Sequence, residues 1–112
     1  MYKINFTFTK KGLMRYISHL DLMRLFIRAL QRAELPLKYT QGFHPHPKFR
    51  IKRALKLGKE SENEEAEIIL NEFLEPKIFK DKLQAQLPEG IVIKEVIILN
   101  NEIKELCLKK SL

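Results

Sequence analysis

Polar and apolar residues alternate without a break at the start of the chain. Tyr2, Ile4, Phe6 and Phe8 take one side, and Lys3, Asn5, Thr7 and Thr9 the other. A period of two is what a strand with one buried face requires. Lys10-Lys11-Gly12 predicts the turn that follows. Ser18, with Asp21 three positions on, makes a weak capping box. The spacing beyond it predicts a helix from about His19 to Ala33. Asp21, Arg24, Arg28, Gln31 and Arg32 would form its polar stripe, leaving Leu20, Met23, Phe26, Ile27, Leu30 and Ala33 to pack. Leu35-Pro36 ends the helix, because the residue before a proline is pushed out of the helical region.

Residues 37–47 read as a loop, stiffened by Pro45 and Pro47 and given one flexible point by Gly42. Alternation resumes from Lys48 to Leu57, with Phe49, Ile51 and Leu57 opposite Lys48, Arg50, Lys52 and Lys56. After a turn over 58–63, residues 64–73 predict a strand with Ala66, Ile68 and Leu70 inward. Pro76 suits the first turn of a helix reaching about Gln86, with Ile78, Phe79 and Leu83 apolar. Leu87-Pro88-Glu89-Gly90 closes it, and Ile91–Leu99 is a nearly continuous apolar strand. The order strand–helix–strand–strand–helix–strand predicts an α+β, ferredoxin-like βαββαβ sandwich. Its first and third strands should be central, with both helices on one face of a four-stranded antiparallel sheet. One domain would span 1–99, and 100–112 would be a tail or short helix. Both faces of the last strand carry aliphatics, so that tail or a second subunit in a homodimer should cover the outer one.

Charge divides this pattern in two. Up to Lys59 there are 14 Lys and Arg against 2 acids, and from Glu60 onward 7 against 12, giving the net +7. A basic half joined to an acidic half suggests one side that meets a polyanion and one that faces away. The single cysteine, Cys107, cannot form an internal disulfide, so a reducing, cytoplasmic setting is the expectation. No apolar run approaches the roughly 20 residues that a membrane span needs.

Three kinds of chemistry fit the polar residues. His44, His46 and His19 could hold a zinc ion, although one cysteine and no His-Glu-x-x-His pattern give that little support, and no cofactor is expected. His19, Asp21, Tyr16, Tyr39 and Lys48 could perform acid–base work on RNA, although Ser18 and Asp21 already have a structural task at the helix start. Nucleic-acid contact draws on more residues. Arg24, Arg28 and Arg32 share a helix surface, Lys48, Arg50, Lys52 and Arg53 cluster on the next strand, and Tyr39 and Phe43 could stack on unpaired bases. Against this, Lys48, Arg50 and Lys52 could pair across the hairpin with Glu64, Glu65 and Glu67. Base stacking on the two central strands, as in an RNA-recognition motif, is excluded. The first strand's aromatics belong to the core, and the third strand offers Glu65 and Glu67.

Arg15-Tyr-Ile-Ser-His-Leu-Asp-Leu-Met-Arg24, Arg28-Ala-Leu, Arg32-Ala, Leu35-Pro36 and Gln41-Gly-Phe-His-Pro-His-Pro-Lys48 resemble the hallmark segments of the radical-SAM-linked family. This is a bacterial domain of unknown function, found alone or fused to radical S-adenosylmethionine proteins and associated with ribonuclease G/E-type proteins. Family domains are usually longer, so the resemblance implies the first half of one. They also usually continue with a small-residue stretch, where this chain has Phe49-Arg-Ile-Lys-Arg-Ala54. No cysteine triplet for an iron–sulfur cluster is present. The resemblance implies a non-enzymatic accessory role beside a radical-SAM or ribonuclease G/E-type partner. With the basic pattern, it gives an expected RNA- or anion-binding set of Arg15, His19, Arg24, Arg28, Arg32, Tyr39, Phe43, His44, His46, Lys48 and Arg50. The loop is expected to fold back over the helix start, bringing His44 or His46 and Lys48 to His19. A protein-docking module for an acidic partner and a small His-dependent enzyme are the alternatives.

Overall fold

A computed structural model describes residues 1–52 and 58–100. The alternating start forms β1 (Tyr2–Lys10), antiparallel to β3 (Ser61–Leu70) on one side and β4 (Ile93–Asn100) on the other. A three-residue β2 (Phe49–Ile51) pairs with the far edge of β3, giving the sheet order β2-β3-β1-β4. Helix α1 (His19–Arg32) follows β1, and α2 (Pro76–Gln84) follows β3. Phe6 lies 5.9 Å from Phe26 of α1 and 5.6 Å from Phe79 of α2, ring to ring, so both helices cover the same sheet face. This is the ferredoxin-like sandwich, with β1 and β3 central as the alternation predicts. Ile4, Phe6, Phe8, Ala66, Ile68 and Leu70 are all buried under the helices.

Several boundaries differ from the sequence reading, each for a physical reason. The turn expected at Lys10 comes one residue later, because Lys10 is the last residue of β1 and is buried. A 3-10 turn (Gly12–Tyr16) that apolar periodicity does not reveal then leads into α1. Ser18 caps α1 as expected, its hydroxyl accepting from Asp21 N–H at 3.1 Å. The packed stripe of α1 is Leu22, Phe26, Ala29 and Leu30. Leu20, expected to pack, lies two residues or about 200° from Leu22 around the helix and stands 58% exposed. Ile78, one residue from buried Phe79, is likewise 42% exposed.

β3 starts at Ser61, earlier than the expected 64, and stops at Leu70, where Asn71 N–H turns to the Pro36 carbonyl at 2.8 Å. β4 starts at Ile93, because Gly90 and Val92 are drawn to Thr9 instead. The Thr9 hydroxyl donates to the Gly90 carbonyl at 3.0 Å and accepts from Val92 N–H at 2.9 Å. Arg53, Lys56, Leu57 and the tail from residue 101 lie outside the described residues.

Candidate functional site

The sequence-predicted residues divide between two ends of the sandwich. At one end, the 3-10 turn is strapped to the start of β3. Gly58 N–H donates to the Arg15 carbonyl at 2.7 Å, and Gly12 N–H donates to Glu60 Oε2 at 2.8 Å. Two cations here, Lys11 and Arg15, have acidic neighbours. Arg15 lies over the Tyr16 ring and 3.6 Å from Glu60, and Lys11 lies 2.9 Å from Glu62. That hydrogen bond and the charge of Lys11 hold the Glu62 carboxyl below its ordinary range.

Lys10 points inward at the same end. Its ammonium donates to the Ile17 carbonyl at 3.1 Å, and burial pushes its pKa down, against the opposing field of buried Glu64. Lysine is seldom fully buried without a partner, yet nothing in an alternating strand that ends Thr-Lys-Lys marks Lys10 as the buried one. Only the inward parity of Ile4, Phe6 and Phe8, continued by two residues, could have found it.

Residues 37–48 lie at the other end, where α1 finishes. They form a ribbon where the sequence reading has a loop. Leu37 bridges to Leu70 and Tyr39 to Pro47. Lys38 N–H donates to the Ile69 carbonyl at 3.0 Å, Lys48 N–H to the Lys38 carbonyl at 2.9 Å, and Ile69 N–H to the Lys48 carbonyl at 3.1 Å. The ribbon therefore continues the sheet beyond β2. Prolines cannot donate to a ladder, so Thr40 and His46 do the closing. Thr40 N–H donates to the His46 carbonyl at 2.8 Å, and His46 N–H donates to the Thr40 hydroxyl at 3.2 Å. The five residues beyond, 41–45, turn at Gly42, whose φ of +123° only glycine adopts readily. Phe43 caps this tip with 98% of its surface in solvent.

The expected meeting of His19 with His44 and His46 does not form. Tyr39 lies against Gln31, hydroxyl to Nε2 3.4 Å, while His19 stands at the opposite end of α1, about 18 Å along the helix axis from Gln31. Among the described residues no three of His, Cys, Asp and Glu form a group that could hold a metal ion.

What the fold does bring together is the ribbon and the outer face of β2 and β3. His46, Lys48 and Arg50 line a hollow of about 320 Å³ with Thr40, Glu67 and Ile69. Arg50 Nε is 3.5 Å from Glu67 Oε2, and Lys3 Nζ is 3.8 Å from the same oxygen. Lys52 is 3.6 Å from Glu65. The cross-strand pairing considered from the sequence thus holds for Arg50 and Lys52. Lys48, like Lys38, Arg28 and Arg32, has no ion-pair partner among the described residues. Arg24 pairs with Asp21 at 3.4 Å.

Two other hollows suit an anion less. One, beside Asn5, sets Glu65 and Glu95 against Lys52. In the other, between α2 and β4, Lys77 is paired with Asp81 and Lys80 donates to the Lys94 carbonyl.

No helix of the described residues is long and apolar enough to cross a membrane. Neither curated proteins nor solved structures contain a match to this chain. A profile of an uncharacterised protein family conserved in bacteria, DUF2344, matches residues 3–109, and the chain belongs to that family.

Proposed function

We propose that this chain is a non-enzymatic RNA-contacting domain, whose ribbon and the adjoining end of α1 hold unpaired RNA. The observation that carries this reading is Phe43. Folding gives no reason for a phenylalanine to stand 98% exposed on a tip shaped by Gly42, Pro45 and Pro47. An aromatic ring offered to solvent is what an unpaired base stacks on, at about 1–3 kcal/mol per base. Arg28, Arg32, Lys38 and Lys48 would hold the neighbouring phosphates, and each contact releases counterions without reading sequence. The polyanion-facing end is then the ribbon end, since Lys11 and Arg15 at the other end already have Glu62 and Glu60. The likeness to radical-SAM-linked and ribonuclease G/E-associated domains supports a place in RNA maturation or modification, with the reaction performed by a partner.

The test is binding of a short unstructured oligoribonucleotide to the full chain, by fluorescence anisotropy at several salt concentrations. Affinity should fall steeply with salt. Phe43→Ala and Phe43→Leu should both weaken binding by about 1–3 kcal/mol, the size of one lost stack, with an unchanged Tm, and Phe43→Trp should restore it. Absence of salt-dependent RNA binding would sink the reading. Retention by Phe43→Leu would point to an apolar protein contact instead.

A further inference from the structure

We infer that the hollow between the ribbon and the outer sheet face is a nucleotide site, which takes one unpaired nucleotide with its phosphate. This deepens the RNA reading and rests on it, sharing Lys48 with it but not Phe43, Arg28 or Arg32. At about 320 Å³ the hollow is at the small end of ligand sites, which run from about 300 to 1,000 Å³. Backbone bonds fix the wall that carries the donors. Lys48 is held on one side by the Lys38 carbonyl and on the other by Ile69 N–H. The alternation that turns Phe49 and Ile51 inward places Lys48 and Arg50 on the outer face.

His46 is oriented as well. Its Nδ1 lies 3.2 Å from the Pro47 carbonyl, which can only accept, so Nδ1 carries a proton and Nε2 is left for a ligand. Glu67 also faces the hollow and would by itself repel phosphate. It is 3.5 Å from Arg50 Nε and 3.8 Å from Lys3, so it steers the guanidinium while its own charge is opposed. Lys3, Lys48 and Arg50 against Glu67 leave a net positive site even with His46 neutral. Ile69, half-buried on the same face, supplies an apolar floor for a sugar or base, and the Thr40 hydroxyl is a polar group at the rim. Cations beside an apolar floor fit a nucleotide better than a bare anion.

The experiment titrates the full chain with uridine 5′-monophosphate and, separately, with inorganic phosphate, following backbone amide shifts by NMR. The nucleotide should bind more tightly than phosphate, with the largest shifts at Thr40, His46, Lys48 and Ile69. Lys48→Ala, at an exposed position, should weaken nucleotide binding about tenfold, the usual scale for one charge-assisted hydrogen bond. Arg28→Ala with Arg32→Ala should leave nucleotide binding unchanged while weakening RNA binding. Equal affinity for phosphate and nucleotide, or no shifts around the hollow, would overturn the inference even if RNA still bound. Nucleotide binding without RNA binding would leave the site standing and remove the broader function.

Discussion

Lys10 ties the end of β1 to the residue just before the α1 cap. Its ammonium holds the Ile17 carbonyl just before the Ser18 cap, inside a protein that also buries Glu64. Lys10→Met should therefore cost about 1–3 kcal/mol, because it leaves the Ile17 carbonyl without its donor. Urea unfolding of Lys10→Met beside the unaltered chain measures that loss. An unchanged midpoint would mean that water serves the Ile17 carbonyl as well as Lys10 does. The lowered pKa carries a sign. Between the folded value and the ordinary 10.5, the unfolded chain binds more protons at Lys10, so this residue makes stability rise with pH in that window. Below the folded value its desolvation cost is fully present. Tm measured from neutral pH towards 10.5 should show a smaller alkaline gain in Lys10→Met than in Lys11→Met.

Among the elements, two backbone positions make opposite predictions. Glu34 ends α1 with φ +57°, a left-handed conformation that costs a residue with a Cβ roughly 1–2 kcal/mol. Glu34→Gly should relieve part of that strain and raise Tm. Gly90 has φ +100°, and a Cβ there would come within 2.5 Å of the Lys11 carbonyl. Gly90→Ala should therefore destabilise by about 1–3 kcal/mol or more, and an unchanged Tm would show that the chain moves aside freely.

The strands and helices themselves were legible in the sequence. Period two in β1 and β3, Ser18 before α1 and Pro76 before α2 are local signals, and local signals do not depend on what packs where. The ribbon was not legible, because its pairing runs through Ile69, far along the chain, and through Thr40 and His46 instead of the prolines between them. The expected site was a residue list running from Arg15 to Arg50. Its partition between two ends depends on which end of α1 each segment reaches, and composition does not encode that.

At the scale of the whole molecule, the split of charge along the chain becomes a split in space. The acids of β3 and the segment before it lie beside Lys11, Arg15, Arg50 and Lys52, so much of the basic half is neutralised internally. Of the described cations without an ion-pair partner, Arg28, Arg32, Lys38 and Lys48 lie towards the ribbon end, whereas Lys59 lies at the strapped end and Lys82 on α2. Added salt should therefore weaken a polyanion contact while leaving the fold nearly untouched, since exposed pairs contribute only about 0–1 kcal/mol each.

The sheet order has a further consequence for how the protein comes into being. β1 is made first and lies between two strands made later, and its β4 neighbour pairs Tyr2 with Asn100. As the chain leaves the ribosome, β1 waits with one edge open until the roughly 80 residues that separate it from β4 have been synthesised. Such long-range pairing makes folding slow, on the scale of milliseconds to seconds, and exposes an adhesive edge in the meantime. A chain stopped before Ile93 should consequently accumulate in the insoluble fraction, whereas the full chain refolds from urea. A soluble, folded product of that truncation would show that β1 needs only one neighbour.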